Sequence, residues 1–509
     1  MTCVQSATAP TPPPVLDDEA AGLLRADLLD AGYTVDHLAE LLGDRASAAL
    51  HRGQVLPADL ATAGSADPAA VLARLFVLAR PVDAAAVDTA LPRTGAAGLL
   101  HSGLADRALP DGALRATCDL RPYGDERHTW WLASDLGEAA TDGPLPTDHV
   151  LGVGGASTTL SSWTPRPQVD RALDLGTGGG VQALHLSTHA GHVVATDLST
   201  RALAYARLTA ALNDLTLDVR QGSLLEPVAG QTFDLVVSNP PFVITPRLAG
   251  VPLYEYRDGG AAGDALVGGL VDSLAAHLRP GGIAQLLANW ELREGEDWHE
   301  HVEAWLEGTG LDAWVVQREV QDVAEYAETW VRDGGHRSGS VAFERLYGAW
   351  LADFASRGVE SVGFGVVTLH RPTTPRAPWR DLVDVRTPVS SPMGPTVLAG
   401  LRARTWLAEH GDDDVLDVAW QVADDVTEER VGRPGAPDPA VIQVRQGGGL
   451  GRVLQLDTLA AGVVGACDGD LTARQLCAGL AVLTDTPPAA VETAVVPVLR
   501  ELVKDGLLR

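Results

Sequence analysis

From Arg171 to Trp290, short apolar runs alternate with helical stretches, each joined to the next by only a few residues. RALDLG, HVVATD, LDVRQGS, FDLVVSNPPF and GGIAQLLANW read as strands, and VQALHLSTHA, STRALAYARLTAALND and ALVGGLVDSLAAHL as helices. Alternation with connections this short confines the chain to one architecture, an α/β fold with a doubly wound, mostly parallel sheet. LDAWVVQREV, a helical stretch through Ala349 to Phe354, and SVGFGVVTLHRP, read as a last strand pair, extend it.

The flanks differ. Residues 1–16 are proline-rich, with no basic n-region and no apolar core, and are expected to be a loose leader rather than a secretory signal. Residues 17–112 predict a small helical domain: Leu23, Leu24, Leu28 and Leu29 recur at helical spacing, and Thr34 is placed to cap a following helix. The α/β domain is expected over 113–370, with its core at 150–290 and a leading strand pair around the Tyr123–Glu126 turn. Gly152 to Pro167, rich in turn formers, reads as a loop. The proline-rich run His370 to Trp379 marks a boundary, and 380–509 predict a C-terminal α+β domain, winged-helix-like from about Leu456. Residues 456–509 carry seven acids and four bases, which disfavours a DNA-reading helix there.

Composition narrows the function classes. With 38 basic and 67 acidic side chains the formal net charge is −29, which argues against broad, charge-driven nucleic-acid binding. No apolar stretch is long enough to span a bilayer, so no membrane role is expected. Cys3, Cys118, Cys467 and Cys477 form no CxxC pair, so neither a disulfide framework nor a zinc cluster is expected, and a cytoplasmic location follows. The oligomeric state has no signature.

Two motifs carry chemistry. Asp174-Leu175-Gly176-Thr177-Gly178-Gly179-Gly180 follows the first strand and opens a helix, where side chains would collide with a ligand laid across the strand end. The spacing is acid-x-Gly-x-Gly-x-Gly, and the next strand ends in Asp197, 23 residues after Asp174, where a carboxylate can accept from both hydroxyls of a ribose. Asp197 could instead cap the helix that follows it. The second motif, Asn239-Pro240-Pro241-Phe242, ends the fourth strand. Prolines remove backbone donors, so the Asn239 side-chain oxygen and the Pro240 carbonyl are left to grip both hydrogens of a planar NH₂ group, with Phe242 as a stacking face. Such a nitrogen is a poor nucleophile, and acceptors drawn against its hydrogens raise its electron density and aim it at a methyl donor. No cysteine occupies this motif for a covalent route, and no phosphate-binding GxxxxGK[ST] loop occurs. His185, His189 and His192 are spaced like metal ligands, but this chemistry needs no metal, and a solvated cluster at a helix end is expected. Tyr254 to Gly260 could rim the substrate pocket or be a plain loop. Tryptophans such as Trp290 and Trp330 are expected in the core.

Together the glycine loop, Asp197 and NPPF resemble class I S-adenosylmethionine-dependent methyltransferases, which have a Rossmann-like fold. The amino-methylating branch is closest, above all release-factor glutamine N5-methyltransferases of the HemK type; ribosomal-RNA guanine-N2 methyltransferases share NPPF. The resemblance covers roughly residues 150–290. It implies S-adenosyl-L-methionine as cofactor, with Asp174, Gly176, Thr177, Gly178, Gly179 and Gly180 around its methionine part and Asp197 on its ribose. The acid and aromatic that flank adenine in the family fall here on Ser223 and Leu224, a departure from the pattern. Asn239, also cofactor-adjacent, would act with Pro240, Pro241 and Phe242 on the substrate amino group. Arg166, in Thr164-Pro165-Arg166-Pro167, is a partial echo of the family's proline-arginine loop, although only seven residues separate it from Asp174. The expected activity is N-methylation of a planar nitrogen, foremost a glutamine side chain of a protein such as a translation factor. An exocyclic base amine of RNA is the runner-up, and a non-catalytic binding protein retaining the fold is the third reading.

Overall fold

The computed structural model describes residues 11–108, 112–137, 145–436 and 438–509. The chain forms two compact units. The first comprises residues up to Leu160, Gln168–Thr309 and Val320–Gly365; the second comprises Ser161–Pro167, Gly310–Glu319 and Val366–Arg509.

In the first unit the sheet strands, numbered in chain order, are β1 (Val169–Leu175), β2 (Ala190–Asp197), β3 (Asp218–Gln221), β4 (Phe233–Ser238), β5 (Leu278–Arg293) and β6 (Val359–His370), the last running on into the second unit. Their spatial order is β6-β5-β4-β1-β2-β3. β1 pairs in parallel with β2 and β4, β2 with β3, and β4 with β5. Leu173 stands opposite Val194 on one side and Val236 on the other, and all three are buried. The buried halves of β1, β2 and β4 are short, mostly apolar runs because they are covered on both faces, whereas β3, DVRQ, is a polar edge strand. The order reverses between β1 and β4, and at such a switch point the loops at the carboxyl ends part to leave a crevice.

The N-terminal helices share a core with this sheet unit and also enclose a smaller cluster of their own around Ala46, Ala58 and Leu78. Leu24, Leu28, Tyr33 and Leu75 share one buried cluster with Ala202, Tyr205, Leu208 and Leu212 of the helix Thr200–Leu212. The predicted strand pair forms, as Asp119–Gly124 against Thr129–Ser134. It is stitched to the same helix: the Trp131 amide donates to Asn213 Oδ1 at 2.9 Å, and Asn213 Nδ2 returns a bond to the Trp131 carbonyl at 2.7 Å. Thr34 caps the helix Val35–Leu50, accepting the His37 amide.

Three expectations need correction. The Gly152–Pro167 segment contains the helix Gly155–Trp163; Ala156, Leu160 and Trp163 recur at i, i+4 and i+7, a helical pattern that the surrounding glycines and serines obscure. SVGFGVVTLHRP contributes one long strand, because the chain stays extended through Gly363 and Gly365, neither of which takes a positive φ. Part of the leader is bound: Val15 donates its amide to the Ser102 carbonyl at 3.0 Å, while residues 1–10 lie outside the described residues. Trp290 is fully buried, as expected of a core residue, and Trp330 is partly buried.

In the second unit, residues from Ala313 to Gln317 pair in parallel with Arg380 to Asp384. Val426–Val431, Val441–Gln446 and Val453–Leu456 form a three-stranded antiparallel sheet. The helices Thr458–Val464, Ala473–Thr484 and Pro488–Lys504 follow and share a buried cluster that includes Cys477, Val491, Val495 and Leu499. Among the described residues, no helix is long and apolar enough to cross a membrane.

Candidate active site

The crevice at the carboxyl ends of β1, β2, β3 and β4 is a cavity of about 460 Å³. Its wall brings together Gly176 to Gly179 after β1, Asp197 after β2, Ser223 and Leu224 after β3, and Asn239 to Pro241 after β4. Residues far apart in sequence converge here because parallel strands end on one edge.

The glycine turn is shaped by backbone needs. Gly176, Gly178 and Gly180 take positive φ of 75°, 54° and 94°. Gly179 answers a different demand: a Cβ there would come within 3.1 Å of the Ala133 carbonyl oxygen, so the turn lies against the strand pair. Asp174, fully buried at the end of β1, accepts the Thr177 hydroxyl at 2.7 Å and the Ala183 amide at 2.9 Å on Oδ2. Burial pushes its carboxyl up to about 7, against those two bonds. Oδ1 of Asp174 is buried with no partner.

Asp197 accepts the Gly178 amide on Oδ2 and the Ser199 amide on Oδ1, each at 2.9 Å. Ser199, not Asp197, caps the helix Thr200–Leu212, so the alternative capping role falls to its neighbour. A carboxylate has about four acceptor positions, so Asp197 retains capacity for a ligand's hydroxyls. Burial raises its pKa, opposed by the Ser199 and Gly178 amides. Leu224, at φ 45°, holds a left-handed conformation that non-glycine residues adopt at a cost of about 1–3 kcal/mol.

The two motifs adjoin. Ser238 Oγ donates to the Leu175 carbonyl at 2.8 Å, and a Cβ on Gly176 would lie 3.8 Å from the Asn239 carbonyl oxygen. Asn239 Oδ1 is buried with no hydrogen-bond partner, in the cavity wall. A buried acceptor left unpaired costs about 1–3 kcal/mol, and a ligand N–H recovers that cost. The cavity wall thus sets a carboxylate with spare acceptor capacity, the left-handed Leu224 and the unpaired Asn239 Oδ1 around one space.

A family profile described as methyltransferase small domain matches residues 152–304, the segment that builds this cavity. The similarity to that family is confined to residues 152–304. Profiles described as domains of unknown function match residues 30–117 and 399–509. Across 171 residues the chain is 40% identical to a release factor glutamine methyltransferase of Deinococcus radiodurans, covering 28% of this chain and 61% of that protein. A release factor glutamine methyltransferase of Geobacter sulfurreducens is 36% identical over 125 residues, 23% of this chain and 44% of that protein. A ribosomal RNA small subunit methyltransferase C of an Enterobacter species is 31% identical over 137 residues, 26% of this chain and 35% of that protein. The chain thus spans between about a third and three fifths of these relatives' lengths.

Within this segment, the remaining predicted residues fall as follows. Phe242 bridges to Asp258 and packs against the buried cluster that contains Val243, Ile244 and Tyr326, while the cavity is lined through Pro241. Arg166 lies outside the cavity wall; the helix Gly155–Trp163 precedes it instead of following it. His185 and His189 are buried rather than solvated: His185 Nε2 lies 2.6 Å from the Tyr123 hydroxyl, and only His192 is well exposed, 3.5 Å from Asp218. Tyr254 to Gly260 does rim the cavity, through Tyr254, Glu255, Tyr256, Asp258, Gly259 and Gly260.

Sequence reasoning missed His149, Leu151 and Gln182, which also line it. Desolvation lowers the pKa of His149, which favours its neutral form. The hidden helical period at 156–163 was the signal available for this segment.

Proposed function

We propose that this chain is an S-adenosylmethionine-dependent N-methyltransferase acting on a planar amide nitrogen, foremost a glutamine side chain of a protein. The observation that carries the reading is Asn239 Oδ1, a buried acceptor without a partner, beside two prolines that cannot supply one. When bound, S-adenosylmethionine supplies an electrophilic methyl group on a sulfonium centre. Gly176 to Gly180 with Asp174 would hold its amino-acid part, Asp197 its ribose, and Ser223 and Leu224 its base.

Asn239 Oδ1 and the Pro240 carbonyl accept the two N–H bonds of the incoming amide and fix its plane. That contact restores electron density to nitrogen and orients its lone pair, the two things an amide lacks as a nucleophile. Once nitrogen has been alkylated, its surplus proton becomes acidic and leaves without a strong base. Charge around the cavity supports a protein acceptor over a nucleic acid: Asp197, Glu255 and Asp258 face one guanidinium, Arg247. A phosphate backbone needs the opposite balance. The names of the glutamine methyltransferase relatives agree with this, and the ribosomal-RNA relative marks the competing acceptor.

Methyl-tritiated S-adenosylmethionine incubated with the protein and a fractionated lysate tests the reading. Label should enter protein, on glutamine by peptide mass spectrometry. Label in RNA would overturn the glutamine acceptor, and no label with no calorimetric affinity for the donor would overturn the enzyme. Asn239→Ala should lower transfer about a hundredfold or more, as loss of one preorganised polar contact does.

A further inference from the structure

The NPPF segment cannot anchor itself, since Pro240 and Pro241 have no amide hydrogen to donate. Upstream it continues β4, whose Ser238 Oγ holds the Leu175 carbonyl; downstream it is held by the three residues that follow Phe242. The Val243 amide donates to the Arg257 carbonyl at 2.9 Å, and the Thr245 hydroxyl donates to Asp258. Both of those partners belong to the cavity-rimming loop. The third anchor has a different origin: the Ile244 amide donates to the Tyr326 hydroxyl at 3.0 Å.

Tyr326 is fully buried on the helix Val323–Asp333, with its ring packed among Trp330, Trp350, Phe354 and Phe364 at centroid distances of 5.5 to 6.0 Å. Its oxygen also lies 3.0 Å from Asn289 Nδ2, on β5. One hydroxyl therefore joins the segment after NPPF, the adjoining strand and an aromatic core. Burial pushes the phenol up, so it stays a neutral hydroxyl across the working pH range.

We infer that Tyr326 is a positioning residue for methyl transfer, holding Asn239 Oδ1 and the Pro240 carbonyl in register with the glycine turn through the Ile244 amide. This rests on the reading that NPPF receives the acceptor nitrogen. Misplacing a reacting pair by about 1 Å costs on the order of a hundredfold in rate. A ring that keeps its packing but loses its oxygen should lower turnover and leave cofactor binding alone.

The test is Tyr326→Phe in the full chain, assayed with methyl-tritiated S-adenosylmethionine and the lysate protein fraction that takes up label. Expected is a fall in kcat of about ten- to a hundredfold, with the apparent KM for that fraction and the calorimetric Kd for S-adenosylmethionine unchanged. Trp350→Phe, in the same aromatic cluster, should lower Tm yet keep kcat. If Tyr326→Phe turns over like wild type, or if both variants lose activity in step with Tm, the inference is overturned. Should Tyr326→Phe not fold, an amide-to-ester replacement at Ile244 removes the same bond from the other side; an unchanged kcat there overturns it equally. Asn239→Ala separates the two failures: if it stays active, the NPPF reading falls; if it is inactive while Tyr326→Phe is normal, only the role of Tyr326 falls.

Discussion

The amide of Gly178 donates to Asp197 Oδ2 at 2.9 Å, tying the turn after β1 to the end of β2. One residue of each of these cavity-lining loops thus fixes the other. Asp197→Ala removes that tie and the acceptor proposed for a ribose at once. Hydrogen bonds to a charged group contribute about 1.5–3 kcal/mol each, so affinity for S-adenosylmethionine should fall by at least about tenfold. Isothermal calorimetry reads this directly, and an unchanged Kd would remove Asp197 from the binding site.

Asp174 makes the site pH-sensitive. Its carboxyl is pushed up to about 7 by burial, so the fold favours its protonated form. The sign for stability follows: the contribution is full below the unfolded value of about 4 and is lost as pH rises towards 7. A sulfonium ligand favours the carboxylate instead. Affinity for S-adenosylmethionine should therefore rise as pH increases through 7, while the neutral demethylated product shows a flatter profile. Asp174→Asn should abolish the difference between the two ligands, measured by calorimetry across that range.

Gly180 sits at φ 94° at the start of the helix Val181–Leu186, where a Cβ would meet Ala206 Cα at 3.6 Å, an ordinary contact. Strain, not space, is the obstacle. Gly180→Ala should lower the unfolding free energy by about 1–3 kcal/mol in urea titration. An equal midpoint and slope would show that the turn relaxes freely.

Arg201 and Asp135 join the helix after β2 to the end of the leading strand pair. The Arg201 guanidinium holds Asp135 from Nε at 2.8 Å, the Tyr205 hydroxyl adds a bond at 2.8 Å, and the Val150 amide another at 2.9 Å. Burial opposes ionisation of Asp135, yet Arg201, Val150 and Tyr205 together hold its carboxyl below the usual range. Arg201→Leu leaves a buried charge unpaired and should cost about 3–5 kcal/mol. The contribution is present above the unfolded carboxylate value and disappears as pH falls through the lower folded value. Wild type should therefore lose stability in acid more steeply than Arg201→Leu, as seen in urea midpoints between neutral pH and about pH 3.

The parallel sheet was legible because buried parallel strands are written as short apolar runs, and the two motifs because their glycines and prolines answer backbone demands that no other residue meets. The strand pair around Tyr123–Glu126 and the two C-terminal helices were legible on the same local grounds. The helix Gly155–Trp163 was not, because turn-forming residues within it outweigh a nine-residue apolar period until tertiary packing decides.

Local sequence determined which residues could make a ligand-binding turn, which strand would end in a carboxylate, and which loop would present acceptors without donors. Only the tertiary structure decided that Asn239 Oδ1 is left unpaired, that Phe242 packs against the cluster around Tyr326 and that His149 joins the cavity wall. The reason is physical: backbone preference acts over a few residues, whereas burial and hydrogen-bond pairing depend on distant partners, as Ile244 does on Tyr326, 82 positions away.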